Sequence, residues 1–280
     1  MRINNNFPAP SYSSRVNTIK YVIIHFTEME FDGALSRLTD PAAEVSAHYL
    51  IKEGGEVFQL VADENIAWHA GKSFWNGEES LNKTSIGIEL DNLGNRAFDA
   101  EQIKACLELC GILQKKYDIP SFNFLGHSDI APDRKIDPGI FFDWELFYKN
   151  GFGMGARSRR NLAEREQDLG TRRQDIAKSR QNLAKDEQGL EMGVFLSFGD
   201  VSEDVRSMQQ RLQILGYKID VTGIFDEQTN FVVRAFGAHY FPEILQEKGL
   251  AAYQKLDSKY DWYHGADAFL NELIRIYKTA

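Results

Sequence analysis

At 280 residues and 43% hydrophobic composition, the chain is long enough for two domains with sizeable cores. A formal charge of −9 argues against a general nucleic-acid binder, and no apolar run reaches the ~18 residues of a membrane span. The charge is uneven: residues 1–150 hold 14 basic against 22 acidic side chains, 151–190 hold 9 against 6, and 191–280 hold 9 against 13.

The opening MRINNNFPAPSYSSRVNTIK lacks the apolar core of a secretory signal, so no export address is visible. KYVIIHF (20–26) is a short β-branched run with His25 near its end, as in a buried strand reaching the edge of a sheet. AHYLIK (47–52), Gly54-Gly55 and EVFQLV (56–61) predict a hairpin. SIGIEL (85–90) alternates: Ile86, Ile88 and Leu90 share one face, and Ser85, Gly87 and Glu89 the other. Residues 99–117 predict a helix opened by an Asp99/Gln102 capping box, with Ile103, Cys106, Leu107, Cys110 and Leu113 at helical spacing. The two cysteines share its core face and are expected to be reduced filler. FNFLGH (122–127) predicts another strand, and 143–150 a short helix. Strands and helices mixed in this way predict an α/β fold, a sheet flanked by helices, ending near residue 153.

Residues 161–190 change character. Leu162, Leu169, Ile176, Leu183 and Leu190 recur every seven residues, but the second apolar position of a coiled coil is mostly polar. The preferred reading is a solvated helical linker or insertion over 154–192, with self-association through 161–190 as the sharper alternative. Residues 193–280 predict a small all-α domain. Helices are expected at 202–217, after Asp226 as an N-cap, and at 264–278.

The segment GHSDIAPDRKIDPG (126–139) sets His127, Lys135 and Asp137 in a stiff, polar loop, with the residues before both prolines restricted towards extended geometry. His25, His127 and Asp137 together make the set used by catalytic zinc, three protein ligands and a fourth position for water. An acid/base pair and an ordinary hydrogen-bonded turn stay open at this point. His48 is read as structural support or a substrate contact beside the site. Trp68 and His69, an aromatic next to a polar group, suit a sugar or peptide groove. His239 and His264 are read as ordinary core or surface residues, and Asp129 and Asp133 as braces of the loop.

The motifs VIIHFT, SAHYLI, WHAG, SIGIEL and GHSDIAPDRKIDPG, in that order over about residues 18–150, resemble the zinc-dependent N-acetylmuramoyl-L-alanine amidases of the AmpD/AmiD type (amidase_2). These are related to the peptidoglycan recognition proteins. DVRSMQQRLQILGY and VTGIFDEQT (204–229) are similar to a small helical peptidoglycan-binding domain. The resemblance implies a mixed sheet flanked by helices over 1–153, the heptad segment over 154–192, and a peptidoglycan-binding-like domain over 193–280. It implies one Zn2+ per chain on His25, His127 and Asp137, with Glu89 as general acid/base and Lys135 stabilising the oxyanion.

The implied reaction is hydrolysis, by a zinc-activated water, of the amide joining the lactyl group of N-acetylmuramic acid to L-alanine. Its substrate would be peptidoglycan or its turnover fragments, with His69, Trp68 and His48 as candidate substrate contacts. The alternative is a bacterial peptidoglycan-recognition protein that binds without cutting. A third reading is a scaffold organised by the heptads. The absent signal favours the cytoplasm, whereas a wall-binding domain favours the periplasm or cell envelope.

Overall fold

The computed structural model describes residues 1–155 and 193–278. The heptad reading of 161–190, and the self-association expected from it, lie outside the described residues.

In chain order the strands are β1 (Ile3–Asn4), β2 (Tyr12–Ser14), β3 (Tyr21–Phe26), β4 (Tyr49–Ile51), β5 (Val57–Gln59), β6 (Asn65–Ala67), β7 (Phe74–Trp75), β8 (Glu78–Glu79), β9 (Ser85–Leu90), β10 (Phe124–Gly126), β11 (Val194–Leu196) and β12 (Trp262–Tyr263). Six of them form the main sheet, in the order β1-β5-β4-β9-β3-β10. Its pairs are parallel except β4–β5, the expected hairpin, so the sheet is mixed. The helices are α1 (Phe31–Thr39), α2 (Ala100–Tyr117), α3 (His127–Ile130), α4 (Trp144–Lys149), α5 (Glu203–Leu215), α6 (Glu227–Tyr240), α7 (Pro242–Lys248), α8 (Leu250–Gln254) and α9 (His264–Tyr277).

The alternation of SIGIEL divides the sheet. Ile86, Ile88 and Leu90 join Val22 and Ile24 of β3 in a core with Ile103, Cys106, Leu109, Cys110 and Leu113 of α2. Both cysteines are free and buried there, as their spacing predicts. Asp99 caps α2 by accepting the Gln102 N–H at 3.0 Å. The capping box stops halfway, because the Gln102 amide turns inward and donates to the carbonyls of Ile51 (2.8 Å) and Asp91 (3.1 Å). It thereby ties α2 to the ends of two strands.

On the other face, Tyr21, Ile23 and Leu125 belong to one continuous core with Leu212, Phe236, Trp262 and Leu270 from the C-terminal helices. Parallel sheets are normally covered on both faces, and here the second cover comes from residues 193–278. The surface left between them, at the carboxyl ends of the central strands, is where the candidate site lies.

Candidate metal centre and active-site cleft

His25 sits near the carboxyl end of β3, and His127 opens α3 directly after β10, the parallel neighbour of β3. The loop then returns Asp137, whose carbonyl accepts the Ser128 N–H at 2.8 Å. His25 Nδ1 and His127 Nδ1 lie 2.8 and 3.0 Å from Asp137 Oδ2 and 3.0 Å from each other. All three side chains are buried. Ligands held tetrahedrally at ~2.0–2.1 Å from an ion would stand ~3.3 Å apart, so the spacing and the N/N/O donor set both fit a small divalent cation.

A neutral imidazole binds a metal only through its unprotonated nitrogen. His127 Nε2 faces the Ala70 carbonyl at 3.2 Å. A carbonyl only accepts, so the proton belongs on Nε2 and Nδ1 keeps its lone pair. For His25 the same result follows through a relay. Ser85 Oγ donates to the Leu81 carbonyl at 2.6 Å, so it accepts from His69 Nε2 at 3.1 Å. His69 Nδ1 is then left to accept from His25 Nε2 at 3.0 Å. Burial, then the neighbouring histidines, hold the His69 pKa well below its ordinary value, as the neutral ring in this relay demands. Burial and His127 lower His25 to about 4, with Asp137 opposing. Burial alone would raise the Asp137 pKa, but His127 and His25 hold it below the carboxylate range.

Glu89 is paired in register with His25 across β9 and β3, so the two side chains stand side by side on one sheet face. Its Oε2 is buried with no hydrogen-bond partner. Burial, then the charge of Asp137, raises its pKa well above the ordinary value, while Lys135 opposes the rise. Glu89 and Lys135 line an open cleft of about 460 Å³ together with His25, Trp68, Arg37 and Leu256. The Trp68 indole N–H donates to Ser13 Oγ at 3.0 Å, which fixes the ring at the cleft.

Two sequence readings narrow to structural support, and the substrate contacts expected of His48 and His69 fall away. His48 is 0% exposed and has nothing to offer a substrate. Its Nδ1 accepts the Gly87 N–H at 3.0 Å and its Nε2 donates to the Asn65 carbonyl at 3.2 Å. Both nitrogens are thus spent on joining strands. His69 lines the cleft but also uses both nitrogens within the protein, behind His25. The room beside Gly87 holds that ring: a Cβ there would lie 2.4 Å from His69 Cγ. Sequence reasoning missed the relay, although Ser85, Gly87 and Glu89 share a face in the alternation.

A buried N/N/O ligand set beside an unpaired carboxyl group and a lysine, open to a deep cleft, has the composition of a metal-dependent hydrolase site. Residues 15–140 match the family described as N-acetylmuramoyl-L-alanine amidase, and residues 201–242 match a putative peptidoglycan binding domain. The chain is 39% identical over 158 residues to the N-acetylmuramoyl-L-alanine amidase AmiD of Escherichia coli, an alignment spanning 51% of this chain and 56% of that protein. It is 34% identical over 160 residues to the 1,6-anhydro-N-acetylmuramyl-L-alanine amidase AmpD of Haemophilus influenzae, spanning 50% of this chain and 87% of that one. Its structure is similar to that of E. coli AmiD in complex with anhydro-N-acetylmuramic acid-L-Ala-D-gamma-Glu-L-Lys, with a TM-score of 0.66, 27% identity, and coverage of 96% of this chain and 94% of that one. The chain belongs to the N-acetylmuramoyl-L-alanine amidase family.

Gly87→Ala should push the His69 ring away from His25 and weaken metal binding by about 10- to 100-fold, the usual range for lost outer-shell support. Chelator competition measures this, and unchanged affinity would refute the relay. His48 yields a second expectation, for stability. Burial, then Arg15, lowers its pKa from 6.5 to about 3, so the folded state resists protonation. Its contribution is complete above pH 6.5 and is lost as pH falls towards 3, at about 1.4 kcal/mol per pH unit. Urea titrations should show His48→Asn, whose Oδ1 can still accept from Gly87, losing stability less steeply than wild type across that window.

Proposed function

We propose that the chain hydrolyses the amide between the lactyl group of N-acetylmuramic acid and L-alanine, using one zinc ion on His25, His127 and Asp137. The observation that carries this reading is the convergence of two tautomer-fixed imidazoles and a carboxylate beside Glu89. When bound there, zinc supplies a Lewis acid and lowers the pKa of a coordinated water towards ~7.

The chain's own residues account for the proton and charge movements. The Glu89 carboxyl group, on the cleft wall, takes a proton from the attacking water and returns it to the departing L-alanine nitrogen. The Lys135 ammonium at the cleft wall offsets negative charge on the carbonyl oxygen as the tetrahedral intermediate forms. Trp68 offers a flat apolar face to a sugar or stem peptide. A binder that does not cut would not need Glu89 and Lys135 beside a complete ligand set.

The substrate is peptidoglycan or its anhydro-muropeptide fragments. Support comes from the fragment bound in the AmiD structure and from an open cleft whose volume, about 460 Å³, lies within the range of small-molecule sites. Residues 201–242 are proposed to contact the same polymer. The relatives are bacterial, and among the described residues no helix is long and apolar enough to cross a membrane.

Chelation should abolish release of peptide from anhydro-muropeptides and added zinc should restore it. Glu89→Gln should keep the metal but lose turnover by roughly 100- to 10,000-fold. Wild-type turnover in that variant, measured by mass spectrometry of the products, would remove Glu89 from its role.

A further inference from the structure

The C-terminal helices do more than cover the sheet. Asp129, two residues after His127, is 1% exposed and carries hydrogen bonds from both halves of the molecule. Its Oδ2 accepts the Gly126 N–H at 2.8 Å, which fixes the start of α3. The same oxygen lies 2.8 Å from His239 Nδ1, on α6, and Oδ1 accepts the Tyr217 hydroxyl at 2.9 Å. The His239 ring cannot swing freely. It is stacked on Trp144 with centroids 4.0 Å apart and planes 9° from parallel, and Tyr240 stacks at 4.3 Å.

Three further side chains reach the rest of the loop. Arg234 Nη2 donates to the Pro132 carbonyl at 2.6 Å and to that of Lys135 at 3.3 Å. The Tyr253 hydroxyl donates to the Ile136 carbonyl at 2.7 Å, and the Gln246 amide donates to that of Ile140 at 2.7 Å. Along 129–140, side chains from beyond residue 200 therefore satisfy polar groups on either side of Asp137. A buried polar contact of this kind is poor evidence of added stability, because desolvation offsets much of the gain. Its better-attested use is to select one geometry among several.

We infer that His239, with Tyr217, is a positioning residue for the metal site: by clamping Asp129 it holds α3 and the 127–137 loop so that His127, Asp137 and Lys135 meet His25 and Glu89. The C-terminal part is then a component of the catalytic unit as well as a polymer-binding module. This inference rests on the amidase reading, and zinc affinity is measured apart from turnover so that the two fail separately.

The experiment uses full-length variants. His239→Phe keeps an aromatic ring against Trp144 but removes the donor; His239→Asn places an amide N–H near Nδ1; Tyr217→Phe removes one hydroxyl. Zinc affinity is read by chelator competition, kcat and KM on a soluble anhydro-muropeptide, and folding by circular dichroism. His239→Phe is expected to weaken zinc binding by about 10-fold or more and to lower kcat with KM within about twofold, and His239→Asn to recover most of both. Tyr217→Phe is expected to shift both in the same direction, and it decides the matter if His239→Phe does not fold. A folded His239→Phe with wild-type zinc affinity and kcat would overturn the inference. So would His239→Asn matching His239→Phe, or a defect confined to binding of insoluble cell wall. Absence of turnover in the wild type, with the zinc shifts intact, would instead count against the amidase reading.

Discussion

Two imidazole nitrogens and a carboxylate oxygen within about 3 Å of one another can hold one cation together only if neither nitrogen carries its proton on that side. That constraint organises the surroundings of His25, His127 and Asp137. Both imidazoles are settled by one dipeptide: His69 accepts from His25, and the Ala70 carbonyl accepts from His127. The dipeptide is pinned in turn by Asn82 Oδ1, which accepts the His69 and Ala70 N–H groups at 3.1 and 2.7 Å. Arg134 reaches the Ala70 carbonyl from the 126–140 loop. The His127 side of this geometry is thus fixed by backbone and amide groups, and the His25 side by an imidazole whose pKa burial holds well below its ordinary value.

The sheet supplies the other half of that geometry. His25, Glu89 and the residue leading into His127 lie at the carboxyl ends of β3, β9 and β10, where ligands collect in open α/β sheets. Parallel pairing at one register makes His25 and Glu89 neighbours without any loop between them. The Ile86–Ile88–Leu90 face is anchored on α2, so a shift of β9 by one residue would turn Glu89 into that apolar core and the isoleucines towards the site. Core packing therefore guards the placement of the acid/base candidate.

Much of this was legible in the sequence because it is local. Period-two alternation located β9 and its two faces, and helical spacing with caps located α2, α5, α6 and α9. The ligand set emerged from spacing joined to family resemblance. The unread parts depend on distant partners. Nothing near His239 indicates that it meets Asp129, 110 residues away. His48 and His69 sit in ordinary-looking runs, and only tertiary contacts show that their nitrogens are already used. Helices α7 and α8 were missed because Gly249, at φ 90°, breaks the apolar period between them.

Glu89 shows why such a site tolerates a group that a folded core would ordinarily reject. A buried polar atom without a partner costs about 1–3 kcal/mol, and the shortage of donors around Oε2 leaves the carboxyl group as a whole readier to hold a proton. The electrostatics are poised: burial and Asp137 favour the neutral acid, whereas Lys135 favours the carboxylate. A cation on the three ligands acts in the same direction as Lys135, because a nearby positive charge stabilises the ionised form. In the proposed reaction the sheet neighbour of His25 would therefore act as a base when a cation occupies the three side chains and as an acid once it has taken a proton.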